Sequence, residues 1–142
     1  MRPLSPRTRA LALALAGWTL LTWTTRLPLA WGDDALETGE KVLATLPVGA
    51  FVALAALAAV AVLRRWDRAG AAVTGLAAWS LGYWLVRLPL IVAHGHRVGF
   101  VVVHTALAVV AGALSVLALR GLGRDGSRPR WARVAGPRGA TG

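Results

Sequence analysis

Residues 18–29 read WTLLTWTTRLPL and residues 79–90 read WSLGYWLVRLPL. The two stretches share the pattern W-x4-W-x2-R-L-P-L at a constant offset of 61 residues. Matching those positions by chance is improbable even in a chain rich in Ala and Leu. Each stretch sits inside a long apolar block, at about 10–30 and 70–92, and two further blocks cover about 42–63 and 98–119. A bilayer core of ~30 Å is crossed by ~20 apolar residues in a helix. No water is available there to satisfy the backbone, so each block is predicted to be a transmembrane helix. The expected fold class is all-α: a polytopic membrane protein with four transmembrane helices.

The second and fourth blocks match more weakly, at an offset of 56. Gly39-Glu40-Lys41-Val42 lies over Gly95-His96-Arg97-Val98, Leu63-Arg64 over Leu119-Arg120, and Arg68 over Arg124. The unit is a two-helix hairpin present twice, at about 10–68 and about 70–124. Each copy crosses the membrane twice, so the copies keep one orientation and are expected around a pseudo-two-fold axis along the membrane normal. A four-helix bundle is the natural product. The small pairs Ala71/Gly75 and Ala108/Gly112, each four residues apart, are expected to let helices approach closely.

Composition agrees. Of 142 residues, 56% are hydrophobic and 15% charged, against about 25% charged in ordinary soluble domains. A disordered chain, a coiled coil and a soluble enzyme core are disfavoured. The absence of cysteine excludes disulfides, thiolate nucleophiles and Cys-ligated metals. The formal net charge is +10, carried by 15 Arg and one Lys against six acids. Residues 1–9 and the 64–68 and 120–142 segments are strongly basic, whereas 31–41 is acidic and 94–97 carries only Arg97. The positive-inside rule then puts both termini and the 64–69 loop in the cytoplasm of a bacterial inner membrane. Residues 1–9 form a basic tail, 10–119 the transmembrane domain, and 120–142 a disordered basic tail. A secretory signal ending at Ala14-Leu15-Ala16 is the competing reading of the first block. The apolar character continues past that site to Leu29, so the block is expected to stay as a span.

Arg26 and Arg87 are the most informative residues. At ~1.5 Å per residue each lies ~24–27 Å along its span from the cytoplasmic side, inside the outer edge of the core. An Arg at a helix centre costs ~2.5–3.5 kcal/mol on the insertion scale, and less near an end. Pro28 and Pro89 follow two residues later, kink the helix and free a carbonyl one turn back, near Thr24 and Leu85. Trp23 and Trp84 precede the arginines by three residues, which puts ring and cation on one face and predicts a cation–π contact in each copy. Two readings stand. Both arginines snorkel to outer headgroups beside an aromatic belt. Alternatively, symmetry pairs them as a polar centre for an anion, a lipid phosphate, or an acidic-loop carboxylate such as Asp33 or Asp34.

The remaining polar residues point less sharply. His94 and His96, with Asp33, Asp34 or Glu37, have the donor types of a metal site, but a lone H-x-H is a weak signal and no metal is expected. His104 has Val48 as its repeat counterpart and belongs to no duplicated motif. It is read as a satisfied interfacial histidine, and buried haem lacks a second axial histidine at its depth. Ser80 and Ser115 are read as helix-packing hydroxyls. No catalytic motif or cofactor pattern is found. The basic tail next to a membrane helix fits the anionic leaflet better than nucleic acid. In overall design and composition the chain resembles the small uncharacterised integral membrane proteins of GC-rich actinobacteria, a resemblance that carries no functional residue onto it. The expected function is a non-enzymatic accessory or binding module with Arg26 and Arg87 as polar centre. Its expected partners are membrane lipids, within a homo-oligomer or larger membrane complex. A small oligomeric anion transporter or channel, and a metal-binding enzyme on the outer loops, are the rivals.

Overall fold

In the computed structural model, residues 4–32, 37–95 and 97–127 are described. They form four long helices and one short one: α1 (Pro6–Thr24), α2 (Arg26–Trp31), α3 (Thr38–Leu63), α4 (Ala69–Ala93) and α5 (Val98–Ser127). There is no strand among the described residues. Three helices are long and apolar enough to cross a membrane: α3 from Lys41 to Leu63, α4, and α5 from Val98 to Gly126. The outward faces agree with this. Leu43, Leu57, Leu85, Val98, Val102 and Val109 are each exposed, a density of bare apolar side chains that marks a lipid-facing surface. The chain is a membrane protein by these measures. α1 is shorter and carries Arg7, Arg9 and several threonines, which lower its apolar character.

Local chemistry sets the helix ends. Ser5 caps α1, its hydroxyl accepting from Thr8 N at 3.2 Å, and Pro6 occupies the first turn, where its missing N–H is harmless. Between α3 and α4, Arg65 takes the left-handed conformation at φ 55°, and Trp66 N donates to Ala61 O at 2.9 Å, closing a Schellman-type stop. α1 ends at Thr24. Thr24 and Thr25 turn their hydroxyls back on the carbonyls of Leu20 (2.6 Å) and Leu21 (2.9 Å), and the chain restarts as α2. α4, in contrast, runs through Pro89 to Ala93 without interruption.

α1 packs against α3 and α5, α4 packs against the same two, and α1 meets α4 across the middle. The core has two parts. Nearer the chain ends it is built of small and aliphatic residues, among them Ala12, Leu15, Ala55, Leu76, Ala77 and Ala118. At the far end rings replace them: Trp23, Phe51 and Trp84, with Val48, Ala108 and Ala111. The buried positions of α1 are Thr8, Ala12, Leu15, Ala16, Thr19 and Trp23; those of α4 are Ala69, Val73, Leu76, Ala77, Ser80 and Trp84, followed by Ile91. Every one of the α1 positions recurs in α4 at +61.

Two expectations need correction. α5 does not end at 119 but continues to Ser127. The extension is held because Leu122 packs on the core and Asp125 Oδ2 accepts from Ser5 N at 2.9 Å. The rest of the basic tail, 128–142, lies outside the described residues. The glycines of the small pairs do not mark a close approach either: a Cβ at Gly75 or Gly112 would meet nothing within 4 Å. The tight crossing is at Gly121, where a Cβ would stand 2.7 Å from Thr8 Oγ1.

Candidate functional site

The far end of the molecule holds an aromatic cluster. Trp23 stacks on Phe51 with centroids 4.1 Å apart and planes at 10°. Tyr83 presents its edge to both rings at 5.1 Å. Trp84 packs edge-on against Tyr83 at 5.6 Å. Quadrupoles favour these stacked and edge-on arrangements, each adding ~0.5–1.5 kcal/mol beyond area burial. Trp23 and Trp84 are both buried, so the two repeated tryptophans form one cluster from two helices.

Arg26 sits at the start of α2, half-buried, with its guanidinium carbon 5.4 Å from the centroid of the Trp23 ring. One NH2 group lies 3.1 Å from His104 Nε2. His104 Nδ1 in turn lies 2.8 Å from Phe100 O. A carbonyl only accepts and a guanidinium only donates. Both contacts are therefore made together by one form of the ring, neutral with its proton on Nδ1. The ring is further held by Phe100 at 3.9 Å and Trp84 at 6.5 Å between centroids.

Arg87 is exposed, and nothing hydrogen-bonds its guanidinium among the described residues. The expected cation–π contact is made in one copy only: Arg26 lies over Trp23, whereas among the described residues no such contact joins Arg87 to Trp84. Trp84 meets Tyr83 and His104 instead. The carbonyls near the prolines do not take up Arg26, which turns to His104 instead. Pro28 and Pro89 are exposed.

Both arginines line one cavity of about 1000 Å³. Its walls come from all four long helices: Trp18 and Trp23 from α1, Pro47 and Val48 from α3, Tyr83 and Trp84 from α4, and Val103, His104 and Leu107 from α5. No carboxylate belongs to this lining among the described residues. A smaller cavity, about 540 Å³, lies at the opposite end, lined by Arg9 and Arg65 together with Asp67 and Asp125. Charges of both signs line it, unlike the cavity that holds Arg26 and Arg87. The two cavities are separated by fully buried Leu15, Leu76, Ala55 and Ala118.

Other expected positions fall elsewhere. His94 closes α4, its Nδ1 2.7 Å from Leu90 O. Asp33, Asp34 and His96 lie outside the described residues. Among the described residues no cluster of three or more His, Asp or Glu side chains is placed to hold a metal. The partner of Arg26 was not legible in the repeat, because His104 stands on a different helix and has no counterpart of its own type. Comparing depths along the spans was the available signal: Arg26 is near the end of its block and His104 near the start of its own.

No protein-family model, curated protein or solved structure matches this chain. Fold and site together define a helical membrane protein with a cationic, aromatic-floored cavity at one end.

Proposed function

We propose that this chain is an integral membrane binding protein of four spans, an accessory or binding module rather than an enzyme, whose outer-half cavity, lined by Arg26 and Arg87, takes an oxyanion. One observation carries the reading: two guanidiniums line a mostly apolar cavity that has no carboxylate among its described walls. Cations in a low-dielectric setting are costly unless paired, and a phosphate or carboxylate pairs with guanidinium through charge-assisted hydrogen bonds.

The fourth span in this reading is α1 with α2, from Pro6 to Trp31. Its support is the packing of α1 on α3 and α5 and the recurrence of its buried positions in α4. The same recurrence supports a duplicated hairpin. The basic tails and the 64–68 segment support a topology with both termini in the cytoplasm, in which the arginine cavity faces the outer leaflet.

The test is a tryptophan fluorescence titration, since Trp18, Trp23 and Trp84 line the cavity. The full chain in mixed micelles is titrated with dioleoyl phosphatidylglycerol and, separately, with zwitterionic phosphatidylcholine. A saturable response to the anionic lipid alone is expected, and it disappears in Arg26→Gln/Arg87→Gln while circular dichroism stays helical. Equal responses to both lipids, or an unchanged response in the double variant, would contradict the reading.

Anion transport by an oligomer draws on the same arginines and on a cavity at each end. The sealed core between the cavities leaves transport to a path between copies. Anion flux in liposomes that survives neutralising both arginines would eliminate that version.

A further inference from the structure

We infer that the two arginines divide the work at this cavity: Arg87 contacts the anion, and Arg26 is a positioning residue whose guanidinium is committed to His104 and Trp23. The inference rests on the oxyanion-binding reading above and assigns roles within it. Arg26 has two partners in place, His104 Nε2 at 3.1 Å and the Trp23 ring at 5.4 Å. Arg87 lines the same cavity, is exposed, and has no hydrogen-bond partner among the described residues.

The repeat explains the difference. α1 corresponds to α4 and α3 to α5, so the counterpart of the Arg26–His104 contact is Arg87 facing the position 56 residues before His104. That position is Val48, which lines the cavity and is buried. Valine offers no acceptor. Arg87 therefore keeps its full set of donors for a ligand, where Arg26 gives one to His104 and is held over the Trp23 ring. A planar guanidinium with open donors binds a phosphate or carboxylate through paired N–H···O bonds. Val48 and His104 are thus the residues that decide which arginine is available.

The full chain in mixed micelles is titrated with dioleoyl phosphatidylglycerol and, in a second arm, with sodium phosphate. Removing a charge-assisted contact is expected to weaken binding about tenfold or more, so Arg87→Gln should do so in whichever arm binds. Arg26→Gln should weaken it less than about threefold while lowering the melting temperature. His104→Leu should mimic Arg26→Gln, and His104→Gln, which keeps an acceptor, should restore both readings. Val48→His gives Arg87 an acceptor and should weaken binding about tenfold, whereas Val48→Leu should not. Saturation by phosphatidylglycerol alone identifies a lipid headgroup, and saturation by phosphate as well identifies a free anion; the selective loss in Arg87→Gln supports the division in either arm. Equal losses in Arg26→Gln and Arg87→Gln, or unchanged binding in Val48→His, would overturn it. A wild-type chain that binds neither probe would overturn the underlying reading and the division with it.

Discussion

A guanidinium can only donate, so the atom that Arg26 points at must accept. That requirement leaves His104 Nε2 without a proton, and the carbonyl of Phe100 agrees by calling for the proton on Nδ1. Part of this was legible in the sequence: the three-residue spacing of Trp23 and Arg26 puts ring and cation on one face, and the structure places them together. The identical spacing of Trp84 and Arg87 delivers no such contact among the described residues. Spacing along one helix cannot report what a neighbouring helix offers. Ser115 belongs to this scale too. It is fully buried on α5, and its hydroxyl has no hydrogen-bond partner among the described residues. An unsatisfied buried hydroxyl is destabilising, so Ser115→Ala is expected to raise stability in micelles by about 1 kcal/mol, read as a higher melting temperature. A loss of that size would show that the hydroxyl is satisfied in the membrane.

The helices were legible as apolar blocks, since blocks of that length have one conformational solution in lipid. Their contacts were less so. The glycines of the Ala/Gly pairs, Gly75 and Gly112, face open space, and the close crossing falls on Gly121, in a segment read as tail. Composition marked that segment as basic, but its disposition is set by Thr8 and Ser5 on a helix more than a hundred residues away. Gly121→Val is expected to destabilise by about 1–3 kcal/mol, because the new side chain enters the space of Thr8. Adding Thr8→Ala removes the colliding Oγ1 and Cγ2 and should recover most of the loss. A full effect that survives the second change would place its cause in the helix itself. The short α2 is likewise fixed by tertiary contacts: Trp31 Nε1 donates to Thr45 Oγ1 at 3.1 Å, and Lys41 Nζ reaches Trp31 O at 3.3 Å.

For the whole molecule, the recurrence of the α1 buried set in α4 extends the likeness of 18–29 and 79–90 over the length of both helices. It includes positions such as Thr8 and Ala69 whose residue types differ, which is why residue identity alone shows the likeness over a shorter stretch. In the proposed duplication the two halves differ where His104 stands for Val48, and both residues line the candidate site. The proposed topology makes a prediction at this scale. The chain has no cysteine, so single cysteines report sidedness cleanly. In intact cells a membrane-impermeant maleimide is expected to label Arg97→Cys and to spare Arg7→Cys and Asp67→Cys. Labelling of Arg7→Cys alongside Arg97→Cys would mean that α1 does not cross. The most direct test of the cationic cavity is a native mass spectrum of the full chain, released gently from its own membrane, beside that of Arg26→Gln/Arg87→Gln. The account predicts an anionic phospholipid or small oxyanion retained by the wild-type chain and absent from the double variant. Equal retention by both, or none by the wild type, would contradict it.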